Sequence, residues 1–256
     1  MDAASPFTKR KVPGVVLWLE ARDGVNGAAG SGIVPHDGDL VSVWSDSSGN
    51  HNDMREPRSV PGIVYRQTGL NGGPALELST LASPGSQKRL EAADNATLRF
   101  GVNNFVVGGF TARGLSGSPY FLFGNEASGT YFTIIMNSAR WPYFGVCGLA
   151  PDAAFACSAC SLAGFTPDAG PLTPTFYSAH RVAMGGGMQT VDLKENGGFE
   201  NSQAGALVDV NSGAALTFSV SDGTFRVAAL ILISSASFGD PERQKVEAYL
   251  RASCGL

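Results

Sequence analysis

Asp46, Ser48, Asn50, Asn52 and Asp53 place oxygen-bearing side chains at nearly alternate positions in one short polar stretch. A hard cation such as Ca²⁺ takes 6–8 oxygen ligands, and a loop of this kind can wrap one. It is not an EF-hand loop, because Pro57 stands where the bidentate closing Glu belongs. Asp37 and Asp39, on the preceding segment, are the nearest further ligands. The competing reading is a tight turn whose Asp and Asn side chains bond their own backbone. Both readings stand at this level.

Carboxyl groups are the second source of chemistry. Glycoside hydrolysis needs two of them, about 5–5.5 Å apart for retention or about 6.5–9.5 Å for inversion. No strand-like segment carries such a cluster: Glu77 stands between Leu76 and Leu78, Glu20 and Asp23 straddle a strand end, and Glu195 and Glu200 flank a turn. His36, His51 and His180 accompany no Ser or Cys in a nucleophile elbow. The chain therefore reads as non-catalytic.

Cys157 and Cys160 have the spacing of a metal knuckle or redox pair, with Cys147 upstream and Cys254 in the tail. The second pair is not another C-x-x-C, and no thioredoxin-like unit surrounds the first. A disulfide from Cys147 to Cys157 or Cys160 is the functional expectation in an oxidising place, against four unpaired thiols. Exposed rings are the remaining candidates, since sugars stack on them and rim loops gather binding residues. Trp141, Tyr143, Tyr120 and Tyr131 are the ligand-binding candidates, whereas Trp18 and Trp44 alternate with aliphatics as core residues do.

The elements that must position these groups are almost all strands. Alternating or continuous apolar runs predict strands over residues 15–20, 40–45, 75–79, 105–112, 120–123, 131–136, 141–146, 175–184, 190–194, 215–220 and 225–233. Gly69 to Pro74 reads as a turn, residues 80–96 as a rim loop, and Asn196-Gly197 as a hairpin tip. One helix is expected over residues 240–251. Asp240 suits its N-cap and Pro241 its first turn, while Val246, Tyr249 and Leu250 share one face. About a dozen strands closed by one helix predict an all-β fold, a two-sheet antiparallel jelly-roll sandwich.

Composition agrees. The chain has 256 residues, 43% hydrophobic and 16% charged, with 33 Gly, as in a packed and turn-rich globular domain. A net charge of −4 with scattered Lys and Arg gives no electrostatic footprint for nucleic acid. No apolar stretch approaches the roughly 20 residues of a membrane span. Residues 1–13 read as an N-terminal arm, and residues 14–256 as one domain with an insertion at about 147–174. Lys9, Arg10 and Lys11 are not followed by the apolar region of a secretion signal. Either the protein is assembled where it is made or the signal has been removed.

Three motifs occur in order: Leu17-Trp-Leu-Glu-Ala-Arg-Asp-Gly24, Val41-Ser-Val-Trp-Ser-Asp-Ser-Ser-Gly-Asn50 and Gly69-Leu-Asn-Gly-Gly-Pro-Ala-Leu76. With Lys194 to Gly197 and the closing Val246-Glu-Ala-Tyr-Leu250, the chain resembles the laminin-G-like branch of the concanavalin A-like lectin/glucanase superfamily. The departures are the Cys-bearing insertion and Cys254, where an aromatic residue is usual. The resemblance implies a jelly roll that binds a glycan or a partner protein, with Ca²⁺ in many members. It also implies lectin-like, adhesive or virion-surface settings, and some relatives are polysaccharide hydrolases or lyases. The expectation is a non-catalytic module that recognises a glycan or protein through rim loops, at a cell, extracellular or virion surface. The alternative is a structural subunit, homo- or hetero-oligomeric, of a larger assembly such as a viral or phage surface protein.

Overall fold

A computed structural model describes residues 12–27, 35–57, 62–80, 88–100, 105–124, 131–136, 142–149, 155–162, 175–195, 199–207, 209–210, 213–235 and 240–253. For residues 105–123, 131–136, 142–149 and 155–162, and at several strand and helix ends, only the backbone is described. The strands are β1 (Val15–Glu20), β2 (Val25–Gly27), β3 (Val41–Trp44), β4 (Met54–Arg55), β5 (Ile63–Leu70), β6 (Gly73–Ser79), β7 (Lys88–Ala92) and β8 (Phe105–Gly124). They continue as β9 (Tyr131–Met136), β10 (Pro142–Leu149), β11 (Phe155–Leu162), β12 (Thr175–Met184), β13 (Met188–Glu195), β14 (Phe199–Ala206), β15 (Leu216–Val227) and β16 (Ala229–Ser234). The helix α1 (Asp240–Ser253) closes the described chain. It starts at the residue the sequence pointed to and ends two residues later than expected. Among the described residues, no helix is long and apolar enough to cross a membrane.

The result is an all-β sandwich of antiparallel strands. One layer runs β14-β13-β12, then the first part of β8, then β16 and β1. The other runs β11-β10-β9, then the end of β8, then β15-β7-β4-β3-β2. Hydrogen bonding is continuous between the layers because β8 and β15 each pass from one to the other. Near Ala112, β8 lies beside β12 and β15 beside β6; near Phe123, β8 lies beside β9 and β15 beside β7. The corner sits where their register slips, between Val220 and Phe225. Strands that switch sheets do so through bends and bulges. Pro119 falls in that bulge, where the missing N–H breaks no ladder bond. Gly223, at φ 74, supplies the opposite side of the bend.

This corner explains one difference from the sequence expectation. The sequence predicts two strands, over residues 105–112 and 120–123, with a Gly- and Ser-bearing segment between them. In the fold that segment is the bend of one long strand. The strand predicted over 225–233 is likewise cut at Ala228, where β15 hands over to β16.

Side chains alternate between two apolar clusters. Leu17 and Leu19 of β1, with Leu230 and Leu232 of β16, join Trp44, Leu76, Leu78, Leu90, Phe218 and Phe225 inside the sandwich. Trp18, Ala229, Ile231 and Ile233 point the other way and pack under Val246 and Leu250 of α1. Both faces of β1 and β16 are thus buried, which is why their sequences are continuous apolar runs. Trp18 and Trp44 are both fully buried, as expected of core residues. Tyr249 meets Trp18 edge to face at 5.5 Å. Burial, and then a hydrogen bond with Glu20, raise the Tyr249 hydroxyl far above its ordinary range.

Beneath the N-terminal half of α1 lies a polar cluster centred on the buried Arg243. Its guanidinium donates to Asp192 Oδ1 at 2.6 Å, Glu247 Oε1 at 2.9 Å and Ser178 Oγ at 2.9 Å, and touches His180 Nδ1 at 3.3 Å. On the neighbouring strands, Glu77 of β6 is held by Arg66 of β5 and Arg226 of β15.

Residues 80–96 are not wholly a loop. Lys88, Leu90 and Ala92 alternate inward as strand β7, a segment whose Lys, Glu and Ala are poor strand formers. The turn predicted at 69–74 narrows to Asn71 and Gly72, both left-handed (φ 45 and 78), and β5 before it had not been foreseen. Positive φ at both central residues is the type I′ requirement of a two-residue hairpin. The hairpin predicted at Asn196-Gly197 joins β13 to β14, whose register closes at Glu195 opposite Phe199; the tip itself lies outside the described residues.

Candidate functional site

The polar loop after β3 is built around the open edge of β1. One edge of β1 pairs with β16. On the other, Trp18 N donates to Asp46 Oδ1 at 2.9 Å, and Trp18 O accepts from Ser47 N at 2.9 Å. Asn50 Nδ2 donates to Val15 O at 2.8 Å, and Asn52 Nδ2 to Val16 O at 2.8 Å. The loop therefore satisfies backbone groups that an edge strand would otherwise leave open to pairing with another chain. Its alternating side chains act as a strand's backbone would.

Asp46 organises the turn itself. Oδ1 also accepts from Ser48 N at 2.9 Å, while Oδ2 accepts from Ser48 Oγ at 2.7 Å and Asn52 N at 3.0 Å. Asp53 Oδ1 accepts in turn from Asp46 N at 2.9 Å. Gly49 and His51 take the left-handed turns at φ 97 and 60, and His is among the residues enriched there. Among the described residues, no group of three or more His, Cys, Asp or Glu side chains gathers as for a metal ion. Asp46→Ala is expected to destabilise the calcium-free protein by about 2 kcal/mol, through loss of charge-assisted bonds to buried donors. Thermal unfolding with and without Ca²⁺ checks this. A wild-type shift with Ca²⁺ that vanishes in the variant would give the loop a cation role instead.

The far side of this loop opens on a cleft of about 450 Å³, lined by His51, Asn52, Asp53, Arg55, Glu91 and Asn95, with Pro57, Ala93 and Ala215 as its apolar surface. Paired strands carry two of the lining residues. Arg55 of β4 stands opposite Glu91 of β7, and Glu91 opposite Thr217 of β15. Met54, Leu90 and Ala92 alternate into the core beside them, which places Arg55 and Glu91 on the outer face. Arg55 Nη2 lies 3.0 Å from Asp53 Oδ2, and Arg89 Nε lies 2.9 Å from Glu91 Oε1. The latter pair is close, but its N–H is not aligned for a hydrogen bond. Asn95 Nδ2 donates to Asn52 Oδ1 at 2.7 Å, so the two amides that line the cleft brace each other. Arg99 donates to Asp94 at 2.6 Å and holds that carboxyl below its usual range, bracing the same loop from outside.

The structure thus separates the sequence's metal candidates. Asp46, Ser48 and Asn50 face the edge of β1, whereas Asn52 bridges edge and cleft, and Asp53 lines the cleft. Of the ring candidates, Tyr120, Tyr131 and Tyr143 lie on β8, β9 and β10 with side chains outside the described set, and Trp141 is outside it altogether. The antiparallel register sets Cys147 opposite Cys157, and Cys160 opposite Gly145; their side chains, and the whole of Cys254, are outside it too. Arg55, Glu91 and Asn95 were not singled out from sequence. Glu91 and Asn95 lie four residues apart but far in the chain from Arg55, and no motif joins them.

No protein-family model matches the chain, and no curated protein does. Solved structures do resemble it. The binding domain of Paraclostridial Mosquitocidal Protein 1 superposes with a TM-score of 0.62 at 10% identity, over 96% of this chain and 53% of that one. The binding domain of Botulinum neurotoxin DC in complex with SialylT gives 0.58 at 12% identity, over 96% and 52%. That domain with rat synaptotagmin II gives 0.56 at 13%, over 94% and 52%. An arabinofuranosidase complexed with arabinofuranosyl-alpha-1,2-xylobiose gives 0.51 at 14%, over 94% and 60%. The chain spans about half the length of the toxin binding domains it matches. At such identities the likeness is one of fold, and the fold is a β-sandwich.

Proposed function

We propose that the chain is a non-catalytic binding module that holds a glycan in the cleft between the polar loop and β7. The observation that carries this reading is the cleft itself: a rim cavity whose amides, carboxylates, guanidinium and imidazole sit beside a small apolar surface. Sugar hydroxyls both donate and accept, and their C–H faces need an apolar floor, so this mixture suits them. The laminin-G-like resemblance of the sequence supports the reading. So does the fold shared with toxin binding domains, one of them solved with SialylT and with synaptotagmin II.

An assembly subunit would present a contiguous apolar patch. Among the described residues, the exposed large apolar side chains are Leu40, Met184 and Met188. The surface so described favours the cleft.

Ala215→Phe tests the proposal, because it fills the cleft without changing its charge. Binding of soluble oligosaccharides, read by calorimetry, is expected to weaken at least tenfold while the unfolding temperature holds. Unchanged binding would move the site elsewhere. A hydrolytic reading rests on Asp53 and Glu91 lining one cleft. It requires new reducing ends from a polysaccharide, lost in Glu91→Gln; the binding reading expects none.

A further inference from the structure

We infer that this cleft selects uncharged oligosaccharides and discriminates against acidic ones, an inference that rests on the glycan reading above. The reason is how its charges are already matched. Arg55 is the one arginine or lysine among the residues described as lining the cleft, and its guanidinium already donates to Asp53 at 3.0 Å. The second lining carboxylate, Glu91, has Arg89 within 2.9 Å, but Arg89 is not a lining residue. The lining guanidinium and carboxylates sum to one positive and two negative charges.

A sialic or uronic acid carboxylate entering here would have to share Arg55 with Asp53. It would also lie beside two carboxylates of its own sign, Asp53 and Glu91. A protein site for acidic sugars presents backbone donors or an arginine fork free of carboxylate partners, whereas the guanidinium lining this cleft already donates to the Asp53 carboxylate. A neutral sugar meets a different surface. Its hydroxyls can donate to the remaining acceptor positions of Asp53 and Glu91 and exchange bonds with Asn95 and His51, and no pairing need be broken. Ala93, Ala215 and Pro57 supply the apolar contact for its ring face.

The test uses the full chain and matched probes: xylohexaose and cellohexaose as neutral oligosaccharides, hexagalacturonate as their acidic counterpart, and lactose against sialyllactose. Calorimetry or ligand-observed magnetic resonance is expected to show the neutral member of each set binding at least tenfold more tightly. Asp53→Asn keeps an oxygen acceptor for Asp46 N, and Glu91→Gln keeps the shape of its side chain. The double variant is expected to narrow the gap several-fold at constant salt, which separates the cleft's charges from the chain's overall net charge of −4. Acidic probes binding as tightly as neutral ones would overturn the selectivity and leave the glycan reading intact. So would a gap unchanged by the double variant. Failure of both classes to bind would remove the glycan reading, and this inference with it.

Discussion

Arg243→Ala is expected to lower the stability of the domain by about 3–5 kcal/mol, the usual result of removing one partner from a buried charge cluster. The side chain is only 2% exposed, and its loss leaves Asp192 and Glu247 under α1 with no guanidinium between them. Urea unfolding of the variant measures the loss directly. The cluster also joins α1 to β12 and β13, through Ser178, His180 and Asp192. Faster amide exchange along α1 and at Trp18 is therefore expected in the variant, since the helix and Trp18 share one apolar cluster. A control separates charge from packing: Arg243→Met combined with Asp192→Leu and Glu247→Leu removes the charges together and should recover much of the loss. A single-variant loss below about 1 kcal/mol would mean that the cluster contributes little beyond van der Waals contact.

Glu77→Ala is expected to be nearly as damaging, at about 3 kcal/mol, because it leaves two guanidinium groups facing each other between strands. Arg66 and Arg226 each approach the carboxylate within 2.7 Å, and Asp37 stands 3.9 Å from Arg66 as the remaining acidic neighbour. Burial alone raises the Glu77 carboxyl, but hydrogen bonds and charge from the two arginines outweigh it, and the net shift is downward from 4.5. A carboxyl lowered in the folded state binds fewer protons there than in the unfolded chain. Its contribution is therefore complete well above pH 4.5 and is lost as the pH falls below that value through the folded pKa. Glu77→Gln should flatten this acid limb while reducing stability at pH 7. An acid limb of unchanged slope in Glu77→Gln would assign the effect to other carboxylates.

How much was legible in the sequence depended on whether a signal was local. The runs at β1 and β16 declare themselves because both faces of each strand are buried, so all residues but the last, Glu20 and Ser234, are apolar. The helix declares itself through Asp240, Pro241 and the spacing of Val246, Tyr249 and Leu250. Strand β7 stayed hidden because Lys88, Arg89 and Glu91 carry poor strand propensity, and their place is set by pairing with β15 and β4. Strand β11 lies inside what reads as an insertion, and only its pairing with β10 makes it a strand. The polar loop was legible as a feature but ambiguous in purpose. Period-two oxygens fit either a cation or a neighbouring backbone, and nothing local says that the open edge of β1 lies alongside.

Local periodicity and turn chemistry are enough to specify an all-β chain with one C-terminal helix, the burial of Trp18 and Trp44, and the turn at the polar loop. The corner that β8 and β15 turn between layers, the staple of Asp46 on β1, and the cleft shared by Asp53, Arg55, Glu91 and Asn95 emerge only once the chain is folded. Those outcomes rest on pairings between residues distant in the chain, whose geometry no single segment encodes.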